Sequence, residues 1–181
     1  MTANVVPLRI LHLEDSEPDH ELVLAQLRRG GLAVRGLRVD TRPEFEAALS
    51  APWDAIVSDF NLPGFSGLQA LQIVRARDSV IPFILLSGEI GEDTAVAAMR
   101  HGASDYLLKN NLARLAPALE HTIAAARTAA ARLQADRDLA ASRQRLAELA
   151  QHLQTRVEAE RAAIAREIHD DVGGSLTALK F

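Results

Sequence analysis

The sequence contains no cysteine. Disulfides, thiolate metal sites and a cysteine nucleophile are therefore excluded, and a reducing cytoplasm is the expected location. No apolar run approaches the ~20 residues that a membrane helix requires. The N-terminus, MTANVVPLRILHLEDSE, turns acidic after a few apolar residues and does not read as a signal peptide. Excess positive charge is also missing: 20 Lys and Arg oppose 24 Asp and Glu, a net charge of −4. With no basic stretch or helix-turn-helix pattern, this argues against a transcription factor or any other nucleic-acid partner. Between Pro117 and Gly173 there is neither proline nor glycine, so nothing in that stretch breaks a helix.

What is present divides at that boundary. All seven prolines lie at or before Pro117, and eight of the ten glycines at or before Gly102. Trp53, Tyr106 and every Phe except Phe181 also precede the switch. A globular domain of roughly 120 residues thus leads into a stretch of Ala, Leu, Arg, Glu and Gln, all good helix formers.

The first part alternates. Strands are expected at Leu8–Leu13, Ala33–Val39, Ala55–Ser58, Pro82–Leu86 and Asp105–Leu108. Helices are expected at Pro18–Arg29, Arg42–Ser50, Ser66–Arg77 with Ser66 as N-cap, and Glu92–His101, with another starting near Leu112. Five such alternations mean an α/β fold, a parallel sheet covered on both faces. Ligands of such sheets sit at the C-terminal strand ends. Glu14 and Asp15 follow the first strand, Asp59 and Asn61 the third, Ser87 the fourth and Lys109 the fifth. Three converging carboxylates repel one another unless a cation lies among them, and oxygen ligands of this kind suit Mg²⁺. Lys109 and the Ser87 hydroxyl are then placed to bind phosphoryl oxygens.

With LHLEDSE, IVSDFNLPGFSG, ILLSGE and DYLLKNN in these places, residues 7 to 125 resemble a response-regulator receiver domain. The resemblance implies a flavodoxin-like five-stranded parallel sheet of order 2-1-3-4-5. It further implies Asp59 as phosphoacceptor, and Asp15, Asp59 and the Asn61 carbonyl as Mg²⁺ ligands with Glu14 acting through water. Ser87 and Tyr106 would be the switch residues, and Lys109 would pair with the phosphoryl group. Asn110 stands where the family usually carries proline.

From Leu112 to about Val172, a helix would reach on the order of 90 Å, more than one small domain covers. Leu139, Leu146 and Leu153 recur at heptad spacing, with Ser142, Leu149 and Arg156 on the other seam. The seam then moves to Val157, Ile164 and Ile168, like a stutter. A parallel dimeric coiled coil, weak over its Ala-rich first half, is expected. The lack of loop-forming residues in this stretch disfavours a surface helix folded back on the domain.

The last segment, ERAAIAREIHDDVGGSLTALK, surrounds His169 and Asp170. An adjacent carboxylate can fix the tautomer of a histidine and accept its ring proton, making the other nitrogen a better nucleophile. The other histidines (His12, His20, His101, His121 and His152) read as solvated. Glu160, Arg161, Ile164 to Ile168, His169 and Asp170 resemble the phosphoacceptor helix of the histidine kinases with the motif E-R-x-x-I-A-R-E-[IL]-H-D. That implies His169 as autophosphorylation site and Asp170 as its base. Gly174 stands where the subfamily carries the Gln or His of its phosphatase activity.

The expected division is a receiver domain at 1–125, a coiled-coil signalling helix at 126–159 and the start of a dimerisation and phosphoacceptor domain at 160–181. No Gly-rich nucleotide box follows, so the chain reads as a fragment of a hybrid kinase whose ATP is bound elsewhere in the longer protein. The expected partners are an upstream histidine kinase or phosphotransfer protein, a downstream response regulator and a second copy of the chain. The rival readings are a free-standing response regulator and an interaction scaffold with a degenerate receiver.

Overall fold

The structure, a computed structural model, describes residues 6–77, 80–89 and 91–178, with side chains described as far as residue 166 and at Ile168. Five strands, β1 (Leu8–Leu13), β2 (Val34–Val39), β3 (Ala55–Asp59), β4 (Phe83–Ser87) and β5 (Asp105–Leu108), alternate with α1 (Glu17–Arg29), α2 (Arg42–Ala48), α3 (Gly67–Arg77) and α4 (Glu92–Arg100). A 3-10 segment, Lys109–Arg114, leads into α5 (Leu115–Ala178). The sheet is parallel throughout, in the order β2-β1-β3-β4-β5. The alternation predicts a parallel α/β sheet, and the order is the flavodoxin-like one that the receiver-domain resemblance implies.

Local signals set the helix starts. The Ser16 hydroxyl accepts from the Asp19 amide at 3.3 Å and caps α1. At α3, the Ser66 hydroxyl accepts from the Gln69 amide while the Gln69 side chain accepts from the Ser66 amide at 3.0 Å, a reciprocal capping box. α5 begins three residues later than Leu112. Its start at Leu115 puts Pro117 in the first turn, where a missing N–H costs no intrahelical bond.

The strands carry apolar side chains on both faces, so the core is split by the sheet. On one face Ile10, Val57, Ile84 and Leu86 pack with Val23, Leu24 and Leu27 of α1 and Leu115, Leu119 and Ile123 of α5. The four-residue spacing of the α5 contacts is one helical stripe. On the other face Leu11, Leu13, Ile56 and Leu85 pack with Phe45 of α2, Leu71 and Val74 of α3 and Ala98 of α4. Each fully buried Leu or Ile contributes about 1.5–3 kcal/mol, and that burial holds all five strand ends in one row. The loop after β3 turns at Gly64, whose φ of 73° only glycine adopts without strain.

The chain separates into two compact units, Met1–Ala131 and Arg132–Phe181. The described part of the second unit is helical through Ala178, past Gly173 and Gly174 and so beyond the expected end near Val172. Two glycines cost only about 1 kcal/mol each there. Its apolar side chains lie open: Leu146 is 63%, Leu149 60%, Leu153 61% and Ile168 58% exposed. Gln134–Asp138, Gln144–Glu148 and Gln154–Glu158 hydrogen bonds line its polar faces. Such pairs contribute a few tenths of a kcal/mol each. Among the described residues, no helix is long and apolar enough to cross a membrane.

Candidate functional site

Parallel strands deliver their last residues to one rim. β1 ends before Glu14, which is fully buried, and Asp15, which is exposed. β3 ends on Asp59, 8% exposed, and β4 on Ser87, 3% exposed. Lys109 follows β5 directly. Carboxylate oxygens of Glu14, Asp15 and Asp59 lie within 4.8 Å of one another.

Lys109 ties the group together. Its Nζ donates to Glu14 Oε2 at 2.8 Å, to Asp59 Oδ2 at 2.9 Å and to Asp19 Oδ2 at 3.0 Å. An ammonium has three N–H donors, and each meets a carboxylate. Burial alone would lower the lysine pKa, but the bonds to Asp59, Glu14 and Asp19 outweigh it and push the pKa well above its ordinary value. The Glu14 pKa is raised as well, but here burial is the cause, only partly offset by Lys109 and by the Ser16 amide that donates to it at 3.2 Å.

The backbone around these acids is pinned. Arg38 of β2 donates from Nη1 to the carbonyls of Glu14 and Asp15 at 3.0 and 3.3 Å, and pairs with Asp40 at 3.1 Å. The Asn61 amide donates to Asp59 Oδ1 at 3.3 Å. The Ser58 hydroxyl donates to the Asp59 carbonyl at 2.8 Å.

The sequence-derived set thus divides. Glu14, Asp15, Asp59 and Lys109 come together, with Asn61 beside Asp59. Ser87 is on the same rim but its hydroxyl donates to the Glu89 carbonyl at 3.1 Å. The half-buried Tyr106 directs its hydroxyl to that same carbonyl at 3.4 Å. The side chains of His169 and Asp170 and the position of Gly174 at the motif's Gln or His site lie outside the residues whose side chains are described.

Two features were not read from the sequence. One is Asp19 on Lys109. The other corrects the reading of His12 and His20 as solvated. His12 is completely buried and His20 is 7% exposed, and their Nδ1 atoms lie 2.9 Å apart. Burial, followed by the charges of His20, Lys109 and Arg38, lowers the His12 pKa to about 3. His20 is lowered too, chiefly by burial. His12 Nε2 has no hydrogen-bond partner and faces Glu14 Oε2 at 4.0 Å. His20, on α1, takes the room left on β2 by a glycine: a Cβ at Gly36 would meet His20 Cε1 at 2.9 Å. The signal was available, since His12 falls within LRILHL, a segment read as a buried strand.

The response regulator receiver domain matches residues 10–120, more than half of the chain. The chain belongs to the receiver-domain family. A separate match, to a histidine kinase family, covers residues 160–181. Transcriptional regulatory protein PrrA of Mycobacterium tuberculosis is 35% identical over 113 residues, 60% of this chain and 46% of that protein. The chain therefore spans about half the length of the curated relatives it matches.

Among solved structures, a receiver domain protein from Clostridium thermocellum superposes with a TM-score of 0.60 at 22% identity, over 67% of this chain and 98% of that one. The receiver domain of the sensor histidine kinase PA1611 from Pseudomonas aeruginosa PAO1 gives 0.57 at 27% identity, over 66% and 99%. That structure has a magnesium ion coordinated in its active-site cleft. The receiver described above is thus a two-component signalling module joined to a histidine-kinase segment.

Proposed function

We propose that the receiver accepts a phosphoryl group on Asp59 and passes the change through its C-terminal helix to a histidine-kinase core. The observation that carries this reading is Lys109, held by hydrogen bonds to both Glu14 and Asp59 at the strand-end rim. Such a lysine is fixed beside the oxygen that would attack.

The donor set fits Mg²⁺. Carboxylate oxygens of Glu14, Asp15 and Asp59 lie within 4.8 Å of one another, Lys109 meets only two of these three residues, and hard oxygen ligands of this kind suit a divalent cation. Asp15, Asp59 and the Asn61 carbonyl would hold it, with Glu14 acting through water. When bound, the cation neutralises charge on the phosphoryl oxygens.

The chain's own groups supply the rest. Asp59 attacks phosphorus through a carboxylate oxygen. The new O–P bond forms as the donor's bond to phosphorus breaks, and the donor leaves with that electron pair. The donor is a phosphohistidine of an upstream kinase or phosphotransfer protein, or a small acyl phosphate. Lys109 places positive charge on the transferring group. Ser87 exchanges its bond to the Glu89 carbonyl for one to a phosphoryl oxygen. Tyr106, already on that carbonyl, registers the exchange as the switch residue.

The division proposed for the chain is a receiver at 1–125, a signalling helix at 126–159 and a phosphoacceptor segment at 160–181. His169 takes the phosphoryl group of ATP, with Asp170 as base, when an ATP-binding domain is supplied by a longer hybrid kinase; a downstream response regulator receives it. The exposed seam from Leu139 to Ile168 supports a parallel homodimer, because a helix with so much open apolar surface gains its stability by pairing. The stutter near Val157 is where a rotation or register change would be accommodated. The test is incubation with acetyl phosphate and Mg²⁺: one phosphoryl group per chain is expected by intact mass, and none in Asp59→Asn. Equal labelling of the variant would refute the assignment.

A further inference from the structure

We propose that Asp19 is a positioning residue that holds Lys109 in the resting receiver and must release it when Asp59 is phosphorylated. This rests on the reading of Asp59 as phosphoacceptor. Lys109 has three N–H donors and all three are taken, by Glu14, Asp19 and Asp59. A phosphoryl group arriving on Asp59 brings new oxygens that need one of those donors. One existing bond must therefore open.

The three bonds are not equally easy to open. The Glu14 side chain is 1% exposed and that of Asp59 is 11% exposed, so water cannot readily replace the lysine there. The Asp19 side chain is 43% exposed, and its carboxylate is solvated as soon as the ammonium leaves. The backbone fixes its position. Asp19 stands in the first turn of α1, its amide bonded to the Ser16 hydroxyl, where the helix dipole favours a negative side chain. Asp19 lies outside the cluster of Glu14, Asp15 and Asp59. Its one described side-chain partner is Lys109. It therefore acts on phosphorylation through the lysine, in two ways. It occupies the donor that the phosphoryl group needs, and its charge opposes a dianionic phosphodonor approaching the same ammonium.

Two measurements on the full chain test this. The first is the rate of Asp59 labelling against acetyl phosphate concentration at fixed Mg²⁺, in wild type, Asp19→Asn and Asp19→Glu. The half-saturating concentration should fall about two- to fivefold in Asp19→Asn, the range spanned by a partly exposed ion pair. The maximal rate should change less than about twofold, and Asp19→Glu, which keeps the charge, should return to wild type. The second uses metal-free protein and no phosphodonor: the ¹⁵N ammonium resonance of Lys109, identified by its loss in Lys109→Met. Its exchange with water should quicken by a similar factor in Asp19→Asn. An unchanged half-saturation in Asp19→Asn, an Asp19→Glu that behaves as Asp19→Asn, or an unaltered Lys109 resonance would each overturn the proposal. Wild-type protein that takes no label on Asp59 would refute the phosphoacceptor reading instead, while the metal-free resonance would still report the tether.

Discussion

Gly67 is the residue on which the position of Asp59 depends most directly. It opens α3 and its amide donates to the Phe60 carbonyl at 3.0 Å, which ties the helix start to the loop leaving β3. A Cβ at this position would overlap the backbone carbonyl oxygen of Asp59 and approach Leu85 Cδ2 to 2.6 Å and Ser58 Oγ to 2.9 Å. Leu85 and Ser58 can turn aside. The Asp59 carbonyl cannot, because β3 is paired on both sides and the Phe60 amide is bonded to Leu86. Gly67→Ala must therefore push α3 and the end of β3 apart. Overpacking of this kind costs about 1–3 kcal/mol, and alanine returns up to about 1 kcal/mol through its better helix propensity. The expected net loss is about 1–2 kcal/mol, a drop of roughly 0.5–1 M in the urea midpoint. Trp53, the single tryptophan, is half-buried in the receiver and its indole N–H donates to the Ala48 carbonyl at 2.8 Å, so its fluorescence follows that unit's unfolding. Labelling of Asp59 by acetyl phosphate should slow as well. Gly31→Ala is the control: its φ of 92° strains an alanine, but nothing lies within 4 Å of the added carbon. It should lose about 1 kcal/mol of stability with unchanged labelling. Gly67→Ala with wild-type stability and wild-type labelling would refute the packing argument.

Further expectations concern the buried histidines and the open helix. Because the His12 pKa in the fold is about 3, against an ordinary 6.5, the unfolded chain takes up a proton that the native protein refuses as pH falls between those values. Stability is complete above pH 6.5 and should then decline by a little over 1 kcal/mol per pH unit relative to His12→Leu, in urea titrations followed by Trp53; parallel pH dependence of the two proteins would contradict the burial. Replacing Leu146, Leu149 and Leu153 together with Ala should lower the sedimentation mass from dimer toward monomer while Asp59 labelling persists. Wild-type chain sedimenting as a monomer at tens of micromolar would dispose of the proposed dimer.

The parallel sheet and the rim of acids were legible because both follow from alternation: apolar runs of strand length, separated by helices, leave the residues after each strand on one edge; the strand order came from the resemblance to receiver domains. Strand ends shifted by a residue, so that Asp59 and Ser87 close their strands where they had been expected just beyond them. Asp19 was not legible. An acid in the first turn of a helix is the commonest of choices for the dipole alone, and only the tertiary approach of Lys109, 90 residues away, gives it another role. His12 and His20 were misread because each was judged singly by residue type, although His12 lies within a strand read as buried. Their burial depends on their pairing across β1 and α1 and on the space above Gly36, neither of which a periodicity conveys. The second half of the 3-10 segment Lys109–Arg114 was read as the start of the following helix, near Leu112, since nothing in LAR marks a break; Pro117 marks the true start only once its place in the first turn is seen.

The identity of the phosphorylated residue decides whether the strand-end rim works as proposed. Full-length chain treated with acetyl phosphate and Mg²⁺, then reduced with borohydride, should yield homoserine in place of aspartate at residue 59 in the mapped peptide. The conversion should disappear when Mg²⁺ is chelated and in Asp59→Asn. Homoserine at Asp15 or Asp19, or conversion at residue 59 that is indifferent to chelation, would contradict the assignment of Asp59 as an acceptor served by the Glu14, Asp15 and Lys109 rim.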